Sequence, residues 1–501
     1  QKKQELETKF WYEIDKTWKQ IFWDKYFKEI KKEEWLSLST DLYSLSDDEL
    51  KKIFTSKNAF TNNWENTSLC DISSMKIDST TFHPWTFNQD LTFTWNTIYK
   101  IPAWEYIFSK ANVDEYYFTK YWSNCIWFIW EWENKTIIKN ADSWDSIFLV
   151  DWGNNIILSW FSIDRDEPVQ KIIWIHIKET SNNTTLTNIK VENQDNWIYI
   201  DWNATLWFIN TKNNQNGIFH TKWDLFIKDS SFNNNSWIWI YSVGWNLTIK
   251  NTTANWNSNN WFNNHWWNNH LIENSHFDNN SWIWIYSTSW NLTIKNTTAN
   301  WNSNNWFNNH WWNNHLIENS HFDNNSWMWI YSTSWNLTIK NSTANWNSNN
   351  WFNASWWDNH IIENSEFNNN KENWIYHSSS SSSIDIDWTT FNWNLKDWLL
   401  FQWSVRSSVK NSTFDWNTEN WLSGYWPIDI ENITLSNNKK SWIVVYSSNN
   451  TINTVTSSNN LNNDSQYWWF VLYWSNNIIS SILSHDNESS WFIIYGSNNQ
   501  I

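Results

Sequence analysis

Glycine is scarce in this sequence: 5 of 501 residues, where an ordinary share of about 7% would give about 35. Proline (4) and cysteine (2) are scarcer still. Cys70 and Cys125 alone exclude a disulfide framework and leave either one bridge or two free thiols. Basic residues are outnumbered, 34 against 51, for a formal charge of −17. That balance argues against nucleic acid as a partner, because a nucleic-acid groove needs a basic footprint. No apolar run reaches the roughly 18 residues of a membrane-spanning helix.

What the chain has in excess is tryptophan, 54 residues. These indoles stand in turn contexts such as Asn255-Trp256-Asn257, Asp201-Trp202-Asn203 and Ser289-Trp290-Asn291. Such contexts belong to glycine, which takes positive φ without steric cost. An indole brings roughly 150–250 Å² of surface that favours burial, and the surrounding Asn and Ser offer no core to receive it. The chain carries its own control. The segment from Trp469 to Asn477 recurs as Trp491 to Asn499, and Trp474 in the first copy is Gly496 in the second. We therefore read most Trp positions as glycine, as when UGA codons of a lineage that reads them as glycine are translated as tryptophan. Scarce Arg against abundant Lys, Asn and Ile fits an AT-rich genome, which by itself would not raise Trp. The competing reading is a genuine aromatic surface that stacks sugars.

Residues 1–57 contain no Asn and balance 12 basic against 12 acidic side chains, so the −17 lies in 58–501. Ser46-Asp47-Asp48-Glu49 reads as a capping box opening a short helix. Residues 1–83 are expected to form a partly helical cap or the tail of an upstream domain. The chain opens at Gln1 and stops inside a repeat at Ile501, so a fragment truncated at both ends is expected.

Residues 84–501 are expected to form one solenoid. Within them lies a 45-residue repeat, at 236–280, 281–325 and 326–370. The first two copies differ only at Val243/Thr288 and Gly244/Ser289. Each copy divides into two units of 22 and 23 residues. Fixed self-similarity at that period marks a solenoid. Short runs with inward residues at period two, such as Ile283 and Ile285 or Leu292 and Ile294, make its elements strands. No stretch has helical periodicity. The expected fold is all-β: a right-handed, single-stranded parallel β-helix with coils of about 22 residues, roughly 18 of them, stacked at the strand spacing of about 4.8 Å.

Two columns support stacking. Asn251, Asn274, Asn296, Asn319, Asn341 and Asn364 recur at steps of 22 and 23 and are expected to form an amide ladder. The outward residue before each alternates in sign: Lys250, Glu273, Lys295, Glu318, Lys340, Glu363. Opposite charges one coil apart attract modestly, which accounts for duplication of a two-coil unit.

With Trp read as Gly, residues 441–460 become Ser-Gly-Ile-Val-Val-Tyr-Ser-Ser-Asn-Asn-Thr-Ile-Asn-Thr-Val-Thr-Ser-Ser-Asn-Asn. That resembles the right-handed β-helix repeat of the pectin-lyase-like superfamily, close to NosD-type repeats. Ile98 to Phe108 resembles an opening coil of such domains, and Ile129 to Ile138 its following strand-turn-strand. The resemblance implies a secreted or cell-surface protein and a polysaccharide or cell-surface glycan as partner. It implies the fold far more specifically than an activity.

Enzymes of that superfamily act on polysaccharides by elimination, hydrolysis or epimerisation. Lyases there pair Ca²⁺-binding carboxylates with a base, so Ca²⁺ is the one cofactor implied. The best local candidate for catalysis is Asp164, Arg165 and Asp166, in Asp164-Arg165-Asp166-Glu167-Pro168. The plainer reading is a charged turn closed by Pro168. Asp151 and Asp201 are carboxylates that would have to converge with it in one groove. Asp385 and Asp387 share one strand face and could act as a pair, against the simpler reading of a solvated strand. The six-serine run from Ser378 to Ser383 reads as a loop. His265, His270 and His276 recur as His310, His315 and His321, but the third copy has Ser355, His360 and Glu366. A metal stripe should survive duplication, so these are read as decoration of turns, and no metal site is assigned.

The composition and repeats thus point first to a rigid structural, adhesive or carbohydrate-binding module, since duplicated coils lengthen a rod readily. The alternative is a polysaccharide lyase, hydrolase or epimerase with its site on the coils near residues 142–202.

Overall fold

Alternating apolar and polar residues in runs of three to nine, broken by residues that accept left-handed backbone, leave a chain one economical way to bury its apolar face. It coils, and each coil pairs in parallel with the next. The computed structural model of this protein shows that arrangement; it describes residues 76–78, 97–101 and, from there to 501, the strands with most of their turns. The fold is an all-β parallel solenoid with coils of about 22 residues and no helix among the described residues. The cap expected over residues 1–83, including the helix at Ser46, falls almost wholly outside the described residues, as do Cys70 and Cys125.

Two long parallel ladders carry the coils. Sheet A has 22 strands and sheet B has 17. In the repeats, sheet A contains Leu247–Lys250, Asn269–Glu273, Asn291–Lys295, Asn314–Glu318 and Asn336–Lys340. Sheet B contains Ile240–Ser242, Phe262–Asn264, Ile285–Ser287, Phe307–His310 and Ile330–Thr333. A third side is a column of single parallel bridges, Thr253 to His276 to Thr298 to His321 to Thr343.

The core is a stack of rungs. Leu247, Ile249 and Ala254 are buried in one coil, and His270, Ile272 and Phe277 in the next. The alternation repeats as Leu292, Ile294 and Ala299 over His315, Ile317 and Phe322. A small third-side residue thus lies between large ones, which lets successive rungs interdigitate at native density. This is a second reason for a two-coil repeat. The expected charge column adds to it: Lys250–Glu273 (2.9 Å), Lys295–Glu318 (3.1 Å) and Lys340–Glu363 (2.7 Å) pair within each copy. Half-exposed pairs of this kind each contribute about 0.5 kcal/mol.

The asparagine column assigned from the sequence is not the principal ladder. Asn251, Asn274, Asn296, Asn319, Asn341 and Asn364 are corner residues with φ of 49–52°. Asn296 does donate to Asn274 Oδ1 (3.0 Å). The buried ladder lies on the far side of the third side, from Asn235 through Asn257, Asn280, Asn302, Asn325, Asn347 and Asn370 to Asn460. Asn302 shows its logic. Its Oδ1 accepts the Asn280 amide (2.8 Å), and its Nδ2 donates to the Phe277 carbonyl (3.1 Å). Its own amide donates to Asn325 Oδ1 (2.8 Å). A buried turn leaves backbone groups that must be paired, and a side chain with both donor and acceptor does this once per coil.

Between that ladder and the third side is another left-handed corner. Its occupants alternate: Trp256 (φ 62°), Asn279 (62°), Trp301 (61°), Asn324 (61°), Trp346 (59°) and Asn369 (59°). Trp256, Trp301 and Trp346 are 61–62% exposed. Trp388, Trp393, Trp416 and Trp474 also have positive φ, and Gly496, at the position equivalent to Trp474, has φ 101°. A Cβ on Gly496 would lie 2.5 Å from the Trp474 carbonyl. Left-handed backbone is an outlier for bulky residues.

Candidate functional site

The triplets Ile175-His176-Ile177, Ile198-Tyr199-Ile200, Ile218-Phe219-His220 and Ile240-Tyr241-Ser242 stack in register in sheet B. Their first and third residues are buried, so the middle ones stand on the outer face. His176 meets Tyr199 edge-on at 4.8 Å. Tyr199, Phe219 and Tyr241 stack at 4.9 Å between successive centroids. Phe219 is 38% exposed. This is an outward aromatic strip on a rigid sheet.

A polar cluster borders it. Asp201, just past the Tyr199 strand, accepts from His176 Nε2 (3.0 Å) and from Thr221 Oγ1 (2.5 Å). Burial works against the Asp201 charge, yet the His176 and Thr221 hydrogen bonds and the nearby charges of His176 and Lys222 hold its carboxyl below the usual range. Burial, then the Asp201 charge and hydrogen bond, raise the Tyr199 phenol. Lys222 in turn pairs with Glu179. At neutral pH the site therefore holds an ionised carboxylate, an oriented imidazole and a protonated phenol within two coils. Chemically it can hydrogen-bond a hydroxylated ligand and cover an apolar ligand face.

Of the residues singled out in the sequence, Asp201 lies in this cluster. Asp164, Arg165, Asp166 and Asp151 lie outside the described residues, as do His265 and Ser379 to Ser382. Asp385 and Asp387 do share an outward face, but each is engaged with the coil above: Ser408 donates to Asp385 (2.7 Å) and Asn411 to Asp387 (2.8 Å). Arg406 clamps Asp429 through Nε and Nη2 (2.6 and 2.5 Å). Among the described residues no three His, Cys, Asp or Glu side chains assemble a metal site. Nor is any helix among them long and apolar enough to cross a membrane.

The histidines require a correction. His270, His315 and His360 do not decorate turns; they are buried in the rungs, 3%, 3% and 0% exposed. Their Nδ1 atoms accept the amides of Leu247 (3.0 Å), Leu292 (3.1 Å) and Leu337 (3.3 Å). The proton is therefore on Nε2, which makes that atom a donor and not a metal ligand. Burial pushes all three down to about 3, and His220 and His377 to about 4. His276 and His321 do lie on the exposed third side, each against a threonine hydroxyl, Thr298 (2.8 Å) and Thr343 (2.9 Å). The sequence reading overlooked His176, Tyr199, Phe219 and Tyr241. Their signal was a polar or aromatic residue held between buried neighbours once per coil.

No protein-family model matches this chain, and no curated protein matches it. Among solved structures it is similar to the A-modules of two Azotobacter vinelandii mannuronan C-5 epimerases. For AlgE4 the identity is 10%, with 81% of this chain and 90% of that chain covered and a TM-score of 0.23. For AlgE6 it is 11%, with 80% and 90% covered and a TM-score of 0.27. PfbA, a surface adhesin of Streptococcus pneumoniae, is 10% identical over 81% of this chain and 85% of its own, with a TM-score of 0.20. Superpositions this loose lend no weight to any functional argument.

Proposed function

We propose that this chain is a secreted or cell-surface β-helix of the pectin-lyase-like, NosD-type class, serving as a rigid adhesive rod that binds carbohydrate along sheet B. The observation that supports the reading is the outward strip His176, Tyr199, Phe219 and Tyr241 beside Asp201, Thr221 and Lys222. Aromatic rings with polar groups at their margin on a rigid scaffold suit ligands that have both apolar faces and hydroxyls. Binding of the full chain to a panel of immobilised glycans tests it. Retention should fall about tenfold in Phe219→Ala; a chain that binds no glycan overturns the proposal.

The second reading, a polysaccharide-active enzyme, draws on the Asp201–His176 pair, which could transfer a proton as a general acid or base. Asp164, Arg165 and Asp166 would complete it. Turnover of acidic polysaccharides, with and without Ca²⁺, abolished by His176→Gln, would establish that reading.

We further infer that most Trp positions in this chain stand for glycine. In support, Trp occupies left-handed corners that Asn or Gly fills elsewhere, and Trp351, Trp374, Trp398, Trp421, Trp442, Trp469 and Trp491 share one register position in sheet B. Peptide masses of the natural protein decide between the two residues.

A further inference from the structure

Past Tyr241, sheet B changes rhythm. The register runs Tyr241 to Asn263, Asn263 to Tyr286, Tyr286 to Asn308, Asn308 to Tyr331, Tyr331 to Asn353 and Asn353 to Tyr376. Of the residues just before them, Ile240, Ile285, Ile330, Phe352 and Ile375 are buried. By strand alternation the Tyr/Asn column belongs to the outer face. In the strip before Tyr241 each ring has an aromatic neighbour one coil away, so neighbours cover one another. Here each tyrosine position has asparagine on the adjacent coil, and the tyrosine positions recur at about 9.5 Å, twice the strand spacing.

We propose that this column is a docking lane for an extended, neutral, diequatorially linked polysaccharide lying parallel to the solenoid axis. The inference rests on the carbohydrate-binding reading above and deepens it by naming the ligand class. Three observations select that ligand. First, the period matches: a cellulose-type or xylan-type chain repeats every disaccharide at nearly the two-coil distance, so successive units meet equivalent residues. Second, the chemistry alternates as such a chain does. Tyrosine supplies an apolar ring for the C–H face of a pyranose, and asparagine supplies a donor and an acceptor for its hydroxyls. Third, the column from Tyr241 to Tyr376 contains no charged residue, on a chain of net charge −17. A polyuronate would find no cation in the lane and a repulsive field around it. The lane uses no position written as Trp, so it is independent of how those codons are read. Duplication of the 45-residue unit then has a functional consequence, since each copy adds one tyrosine–asparagine pair and lengthens the lane by one disaccharide.

The test is calorimetric titration of the full chain with cello-oligosaccharides and xylo-oligosaccharides of increasing length, and with oligomannuronate and oligogalacturonate. Affinity for the neutral series should rise with each added disaccharide until the lane is filled. The Tyr286→Ala/Tyr331→Ala variant should weaken the longest neutral ligand by about tenfold or more. The length dependence is read on the unaltered chain, so it stands even if the double variant folds poorly. Preference for the acidic oligosaccharides, or a neutral-ligand affinity that ignores length, overturns the lane and leaves the broader carbohydrate-binding reading in place. Absence of binding to every glycan overturns both.

Discussion

Acid should unfold this solenoid selectively, through histidines that it holds neutral. His220, His270, His315, His360 and His377 are buried in the rungs, with folded values of about 3 to 4. The unfolded value is about 6.5. The geometry behind the shift is explicit in the repeats, where Nδ1 accepts a leucine amide and protonation there would break that bond. A lowered folded value means that the unfolded chain binds more protons between about pH 3 and 6.5, so stability is complete above that window and falls with pH within it. At pH 5 each histidine removes about 2 kcal/mol relative to pH 7.5, about 10 kcal/mol for the five. Between pH 4.5 and 5.5 the slope is about 6 kcal/mol per pH unit. That is comparable to the whole stability of an ordinary domain. Solenoids open locally, so the assay is hydrogen exchange by coil, compared at pH 7.5 and 5 after correction for the intrinsic rate. Coils from 218 to 378 should lose protection first. Coils from 428 to 501 contain no buried histidine among the described residues and should keep it longer. The variant His270→Leu/His315→Leu/His360→Leu copies the leucines of the neighbouring coils. It loses three amide bonds and some stability at pH 7.5, but its acid slope should drop by about three fifths. An unchanged slope, or first loss of protection near the C-terminal coils, would refute the reasoning.

Other outcomes can be checked on the same protein. Gly244→Ala should cost about 1–3 kcal/mol by urea unfolding, because a Cβ there would lie 2.0 Å from His220 Cε1. His220→Ala should relieve most of that penalty. Asn302→Ala strands the Asn280 amide and the Phe277 carbonyl and should cost about 2–3 kcal/mol, whereas Asn296→Ala, at an exposed corner, should cost well under half as much. In a chain made with tryptophan as written, Trp256→Gly, Trp301→Gly and Trp346→Gly should each raise stability by about 1 kcal/mol, since left-handed backbone penalises a Cβ. No gain in melting temperature from the triple variant would contradict that reading.

Sequence alone determined the architecture. A 45-residue self-similarity, apolar residues at period two and corners of Asn, Ser and apparent glycine admit stacked parallel strands and little else, because no other fold buries such short runs. The Lys/Glu column was legible for the same reason: a fixed period converts spacing into adjacency. What tertiary structure decided was which of several equally periodic columns faces in. His270 and His276 recur with the same period, yet one lies in a rung and the other in solvent. Asn274 and Asn280 recur alike, yet only Asn280 is in the buried ladder. Periodicity states that residues stack, but burial depends on where each corner bends the chain, and six residues of turn are enough to exchange inside for outside. The aromatic strip at Tyr199 and the Asp201–His176 contact were hidden for a related reason. They join residues from coils 20 to 25 positions apart that share no motif, and only the closing of the coils brings them within reach of one another.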